Sequence, residues 1–159
     1  MNPKNIQLRP ARKNDCHILF EWVNNPHVRA MSLNSAPIGW EEHCTWFNRK
    51  LNDSLCRIYI GFYENQPVGH VRFDIENDTA YTGISVAQAH RSAGLGGLLL
   101  QLGVNKIFNE TSIKRICATV KVDNIPSQRI FEKCGFLLQT PTLEGVCTFF
   151  LENSIENRK

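Results

Sequence analysis

The stretch His90-Arg91-Ser92-Ala93-Gly94-Leu95-Gly96-Gly97 decides how this chain folds. An apolar, strand-like segment from Tyr81 to Val86 precedes it, and an apolar, helix-like one from Leu98 to Phe108 follows. A strand that hands over to a helix through glycines leaves the first N–H groups of the helix unpaired. Those donors and the positive end of the helix dipole form an anion site. Gly94, Gly96 and Gly97 carry no Cβ, so a phosphate can approach the backbone closely. The spacing is not the Gly-x-Gly-x-x-Gly of dinucleotide sites, and there is no Gly-Lys-Ser/Thr of a nucleotide P-loop. It fits Arg/Gln-x-x-Gly-x-Gly/Ala. The plain alternative is an ordinary turn at a helix start.

A second element follows the β-like run Arg115 to Val122: Asn124-Ile125-Pro126-Ser127-Gln128-Arg129-Ile130-Phe131-Glu132-Lys133-Cys134-Gly135-Phe136. Asn124 suits an N-cap, Pro126 the first turn and Gly135 the left-handed residue past the end. The spacing predicts a short helix with Ile130 and Phe131 inward and Ser127 one turn back. With both elements in this order, the chain resembles the GNAT superfamily of acetyl-CoA-dependent N-acetyltransferases. The resemblance implies a single α+β domain over 1–152, with a mixed, mainly antiparallel sheet of about seven strands flanked by helices, and a tail over 153–159. It also implies acetyl-CoA as acetyl donor, held in a V between the strands of Tyr81–Val86 and Arg115–Val122. Backbone groups of Ser85 and Val86 would meet the acetyl and pantetheine carbonyls. Those of Arg91, Ser92, Ala93, Gly94, Leu95, Gly96 and Gly97 would hold the pyrophosphate. Asn124 would bond the pantetheine arm, with Ser127 and Phe131 beside it.

The resemblance runs along nearly the whole chain. Trp22-x-Asn24-x-x-x-Val28-Arg29-x-x-Ser32, Pro37-Ile38-x-Trp40-Glu41-Glu42-His43-x-x-Trp46-Phe47 and Pro67-Val68-Gly69-x-Val71-Arg72-Phe73-Asp74-Ile75 are similar to the sugar-nucleotide branch. That branch implies acetylation of the 4-amine of a UDP-4-amino-4,6-dideoxy sugar on the way to pseudaminic-type nonulosonic acids. Relatives that acetylate ribosomal protein N-termini share the Trp-x-Asn and His-x-x-Trp patterns, so an N-terminal acetyltransferase stays open. A cofactor-binding sensor or scaffold without turnover is the non-enzyme alternative.

Bulk properties bound the reading. The 159 residues form one ordinary domain with a real core, and the hydrophobic and charged fractions, 42% and 21%, argue against disorder. No apolar run approaches the ~20 residues of a membrane span, and the N-terminus lacks a signal-peptide core. Cysteines 16, 44, 56, 117, 134 and 147 show no Cys-x-x-Cys spacing and read as reduced residues of a cytoplasmic protein, with no metal site. A net charge of +3 is too small for a nucleic-acid binder but suits anionic small molecules.

Along the chain, strands are expected at Ile6–Arg9, Leu55–Tyr63, Val68–Ile75, up to Val86, Lys114–Val122, Phe136–Gln139 and Gly145–Glu152. Asn14 or Asp15 caps a first helix, Pro26 starts a short second one, and Gly39 to Leu51 makes a third with Trp40, Cys44, Phe47 and Leu51 on one side. A hairpin turn is expected around Asn65-Gln66-Pro67. The strand Gly145–Glu152, if at an edge, offers a surface for a homodimer.

The chemistry needs a bound amine, removal of its proton and release of a thiolate. Many relatives place a Glu base where Tyr81 stands and an acid Tyr where Phe131 stands. His43, His70, Asp74 and Tyr81 are the candidate bases. Asp74 leads because it shares a strand face with Arg72, opposite Val71 and Phe73; the alternative is a solvated Arg-x-Asp pair. For the diphosphate of a nucleotide sugar, Arg29 is the leading cation, followed by Arg72, His43 and Arg49. Trp22 or Trp46 would offer a stacking surface, the alternative being that each belongs to its helix's apolar stripe in the core, and Asn24 and Ser32 would shape the substrate loop.

Overall fold

The computed structural model describes residue 2, residues 5–140 and residues 142–154. Strands β1 (Ile6–Pro10), β2 (Cys56–Tyr63), β3 (Gln66–Glu76), β4 (Thr79–Val86), β5 (Arg115–Lys121), β6 (Leu137–Leu138) and β7 (Val146–Glu152) form one sheet in the order β1-β2-β3-β4-β5-β7-β6. Helices α1 (Cys16–Val23), α2 (Pro26–Met31) and α3 (Trp40–Leu51) lie between β1 and β2 in sequence. Helix α4 (Leu95–Glu110) links β4 to β5, and α5 (Ile125–Lys133) follows β5.

Every strand pair is antiparallel except β4 with β5. A parallel pair needs a long crossover, and α4 supplies it. That parallel ladder covers only Thr79↔Arg115, Ala80↔Ile116 and Tyr81↔Cys117. On its other side β4 stays registered with β3 through Gly69↔Val86, and β5 stays registered with β7 through Lys121↔Val146. The sheet therefore opens between β4 and β5 beyond Tyr81 and Cys117.

Strand alternation distributes the core over two faces. Val71, Phe73, Ala80, Ile116, Ala118 and Phe149 pack with Leu100, Val104 and Ile107 of α4 and Phe131 of α5. Cys56, Ile58 and Ile60 pack on the other face with Leu19 of α1 and Phe47 of α3. On that second face lie His70, Arg72 and Asp74 of β3, opposite Ser85, Gly83 and Tyr81 of β4.

Some expectations change. The turn between β2 and β3 is at Glu64 and Asn65, both with positive φ (48° and 65°), and Gln66 already pairs with Tyr63. This two-residue hairpin matches the strand twist better than a turn that includes Pro67. Asp15 stands at the N-cap of α1 without capping it. Its carboxylate instead takes both terminal nitrogens of Arg9, at 2.7 and 2.8 Å, and the Arg12 N–H, because a bidentate guanidinium outbids a lone amide. Trp40 is 45% exposed and His43, 2% exposed, takes the inward place in α3. Strand Val146–Glu152 is an edge only in part: it sits between β5 and the two-residue β6, which pairs with Phe149 and Phe150. Of the tail expected from 153, Asn153 is buried with its N–H bonded to the Lys114 carbonyl, and 155–159 lie outside the described residues. No described helix is long and apolar enough to cross a membrane.

Helix α4 rests closely on β3 at Gly103, where a Cβ would stand 2.8 Å from Val71 Cγ1 and 3.2 Å from Phe73 Cε2. Gly103→Ala should therefore overpack this contact and cost about 1–3 kcal/mol, seen as a melting temperature lowered by roughly 2–10 °C. An unchanged melting temperature would show that the two layers are not in this contact.

Candidate active site

The opening between β4 and β5 exposes backbone groups of β4. The Ala87 N–H bonds the Val68 carbonyl on the β3 side, so by alternation Ser85 and Gly83 also face β3. Thr82, Ile84 and Val86 turn their polar groups toward the side that β5 has left. At the end of the strand, Arg91 Nε donates to the Val86 carbonyl at 3.2 Å. Arg91 thus braces the loop with its side chain, while its own N–H is taken by the Gln88 carbonyl.

Ser92 and Gly94 have φ of 66° and 75°. Left-handed residues flanking Ala93 turn successive N–H groups into one concavity, a nest for an anion. Among the described residues, the N–H groups of Ser92, Ala93 and Gly94 have no backbone acceptor. Leu95, Gly96 and Gly97 follow as the first turn of α4, where N–H groups lack intrahelical partners. At Gly96 a Cβ would stand 2.7 Å from Ile130 Cδ1, so this glycine lets α5 close against α4.

These elements border a cavity of about 620 Å³. Of the cofactor residues expected from sequence, Ser85, Val86, Arg91, Ser92, Gly94, Leu95, Gly96, Gly97, Asn124 and Ser127 line it. Asn124 also caps α5, its Oδ1 accepting from the Ser127 N–H at 3.3 Å. Ala93 is not in the lining and packs instead beside Leu95 and Leu99. Phe131 corrects its expectation: it is 1% exposed, 6.0 Å from the Phe149 ring and 5.1 Å from Phe136, and belongs to the core. The cavity also takes His27 and Met31 from α2, His90, and Arg129 and Lys133 from α5. The sequence reading missed these; the i, i+4 spacing of Arg129 and Lys133 beside the capping Asn124 was the available signal. Five basic and no acidic residues line the cavity, and an unpaired backbone cradle opens into it. The residues fit a pyrophosphate-bearing cofactor.

The residues assigned to substrate are placed differently. Arg29 spends its guanidinium on the carbonyls of Val23, Asn34 and Ala36 and on Ser32 Oγ. Ser32 Oγ in turn donates to the Val28 carbonyl, and Asn24 exchanges two bonds with the backbone of Ile38. These three fasten the loop between α2 and α3, and only Ser32 reaches the cavity. Arg29 is thus no free phosphate ligand. His43 is enclosed by Phe20, Trp40, Trp46 and Phe47 and its Nε2–H donates to the Cys16 carbonyl at 2.9 Å. It is a core histidine, closed to substrate.

Asp74 is engaged as well. Lys50 Nζ donates to its Oδ1 at 2.6 Å and Arg72 Nε lies 3.0 Å from Oδ2. Burial alone would raise the Asp74 carboxyl, but the Lys50 hydrogen bond and the Arg72 charge outweigh it and hold it below the usual carboxylate range. Its register partner is Tyr81, where β4 and β5 are still joined. Asp74 therefore holds cations at the closed end of the opening and is poorly placed as a base. Tyr81 is 48% exposed on the same face. Trp22 is stacked on His70, with ring centroids 6.1 Å apart and planes at 4°.

Residues 17–136 match the model of the acetyltransferase (GNAT) family. The chain belongs to this family. It is an N-acetyltransferase with acetyl-CoA as donor, which removes the non-catalytic alternative. It is 23% identical over 165 residues to aminoglycoside N(6')-acetyltransferase type 1 of Klebsiella pneumoniae, covering 92% of this chain and 82% of the relative. Acetyltransferase PseH of Campylobacter jejuni is 19% identical over 124 residues, 78% of each chain. The spermidine N-acetyltransferase of Vibrio cholerae, solved with CoA and spermine, superposes with a TM-score of 0.88 at 18% identity, covering 95% of this chain and 97% of that one.

Two outcomes follow. Gly94 has no neighbour within 4 Å of a Cβ and a φ of 75°, so Gly94→Asn, which tolerates that backbone, should keep acetyl-CoA affinity within a few-fold. Gly94→Glu adds a carboxylate to the cradle and should abolish binding by calorimetry with the fold intact by circular dichroism. Equal affinities for the two variants would remove the cradle from cofactor binding.

The second outcome concerns pH. Burial, and then the charge of Arg72, pull His70 down to about 4; burial also lowers His43, against its bond to the Cys16 carbonyl. Such groups contribute stability that is complete above the unfolded value of ~6.5 and is lost as pH falls toward the folded value. For His70 this amounts to about 2–3 kcal/mol between roughly pH 6.5 and 4.5. Urea titrations of His70→Gln should show a correspondingly flatter loss of stability with acid than the wild type. Parallel curves would contradict a buried, neutral His70.

Proposed function

We propose that this enzyme acetylates the 4-amino group of a UDP-amino-dideoxy sugar on a route to pseudaminic-type nonulosonic acids. The observation that carries the reading is the state of Arg72. Its guanidinium lies 5.2 Å from the centroid of the Trp46 ring, with Nε 3.0 Å from Asp74 Oδ2 in an ion pair that makes no hydrogen bond, and Lys50 holds Asp74 from the other side. Among the described residues its terminal nitrogens have no hydrogen-bond partner. Across the ladder stands Gly83, where a Cβ would meet nothing within 4 Å. A rigid cation with a free edge thus faces a bare stretch of β4, next to Ser85 and the opening.

A planar, preorganised guanidinium favours a phosphate with two parallel bonds. Gly83 and Ser85 are two residues apart, about 7 Å along a strand, a spacing that lets an anion rest at Arg72 while an amine one sugar ring away reaches the opening. The carboxylate nearest Arg72 on this face, Asp74, is already held by two cations. Polycationic acceptors would find no free acid there. Tyr81, half exposed on this face, offers a ring beside a sugar acceptor.

Bound acetyl-CoA supplies an acyl group activated as a thioester. Its sulfur leaves as a thiolate, of pKa ~8.5 by analogy with cysteine, so the reaction does not depend on an acid at Phe131. The cradle at 92–97 and the backbone of Ile84 and Val86 hold and orient; the acceptor face selects.

Thiol release in the presence of acetyl-CoA should be at least ten-fold faster, in kcat/KM, with UDP-4-amino-4,6-dideoxy-N-acetyl-β-L-altrosamine than with spermidine, kanamycin or an N-terminal peptide. Free UDP should compete with the acceptor, and Arg72→Met should raise the acceptor KM about ten-fold or more, the scale of one charge-assisted contact. Faster turnover of the peptide, with UDP inert, would replace this reading by N-terminal acetylation.

A further inference from the structure

Two histidines lie on the α1–α3 face, His43 buried and His70 half-buried with its Nδ1 enclosed, and their ring nitrogens differ in one respect. In His43 the Nε2–H is committed to the Cys16 carbonyl, which fixes the tautomer. In His70 the Nδ1 is buried with no hydrogen-bond partner among the described residues. Among the described residues nothing fixes a proton on either nitrogen of that ring. Among the described residues three buried side-chain atoms lack a partner, His70 Nδ1, Arg72 Nε and Thr82 Oγ1, and for such an atom a catalytic role is one of the few explanations that occur.

Position supplies the explanation. His70 is the register partner of Ser85, and opposed residues of an antiparallel pair have their Cβ atoms about 5 Å apart on the same face. Ser85 lines the cofactor cavity at the mouth of the β4–β5 opening. The imidazole is held flat by the Trp22 ring of α1. The charged groups around it are Arg72, two residues along β3, and beyond it the Asp74–Lys50 pair; its β2 partner, Ile60, is apolar. No carboxylate bonds the ring to stabilise a resting imidazolium, so it rests neutral, and Nε2, not the enclosed Nδ1, is the nitrogen left open to a substrate.

We propose that His70 is the proton acceptor of the acetyl transfer, with Trp22 as the residue that positions it. The amine nitrogen forms the new bond to the acetyl carbon, and the carbon–sulfur bond breaks with its electron pair on sulfur. The one N–H proton that must be lost passes to the imidazole lone pair and from there to solvent. This assignment takes the place of Asp74 and His43 as bases and stands for any primary amine, so it does not depend on the sugar reading.

The test uses the full chain with whichever of the sugar nucleotide, spermidine or the N-terminal peptide the wild type turns over fastest. In parallel, slow hydrolysis of acetyl-CoA without any amine serves as a readout, since water then needs the same proton acceptor. His70→Gln should lower kcat about 100-fold or more, the usual scale for a positioned base, with acetyl-CoA affinity within a few-fold and the hydrolysis reduced in step. His70→Ala should regain activity on addition of free imidazole, which a merely structural histidine would not allow. Trp22→Leu should lower kcat less, with KM little changed. Turnover of His70→Gln within three-fold of wild type, or a His70→Ala variant that is folded, inactive and indifferent to imidazole, would overturn the proposal. If His70→Gln fails to fold, the imidazole response of His70→Ala and the hydrolysis rate of His70→Asn decide. A different preferred amine would overturn the sugar reading and leave this one standing.

Discussion

The structure depends on a parallel ladder that stops early. Strands β4 and β5 pair over Thr79–Tyr81 and then separate, although each keeps its antiparallel neighbour to the end. Parallel pairing is the weaker kind per residue, and here it yields to the packing of α4 and α5 against the two diverging halves. The opening leaves main-chain donors of β4 unpaired at the point where α4 begins with its own unpaired donors. Two sets of orphan N–H groups therefore meet at one place. An acyl donor that carries both a thioester carbonyl and a pyrophosphate can satisfy both.

The charges follow the same division. Around the cavity, basic residues from α2, the 88–91 turn and α5 stand without acidic partners. On the acceptor side each charge is bound into a small network: Lys50, Asp74 and Arg72 in one, and Arg29 with four backbone or hydroxyl oxygens in another. The first region is arranged to attract an anion. The second is arranged to hold shape, with Arg72 the exception that keeps a free edge. Phe131 shows the same economy, filling the core between Phe136 and Phe149 in place of a proton donor.

Local chemistry was readable in the sequence; distant partners were not. The glycine turn and the Asn124 helix declare themselves because capping, left-handed residues and helix starts depend on near neighbours. Ten of the cofactor positions read that way line the cavity. Arg29 and His43 misled for a common reason. Their partners are carbonyl groups that any residue carries, brought close by the loop between α2 and α3 or by the packing of α1 on α3. Asp74 was placed on the right face but not in its environment, since Lys50 approaches from another element. His70 was one candidate among four until strand register set it beside Ser85.

The unpaired main-chain donors at Ile84, Val86 and 92–94 are placed to receive the cofactor. Amide hydrogen exchange resolved to single residues measures this directly, with and without saturating acetyl-CoA. These five amides should exchange freely in the unliganded protein and become protected together on binding, while amides of β2 and β7 change little. Binding that leaves them as unprotected as before would contradict the account.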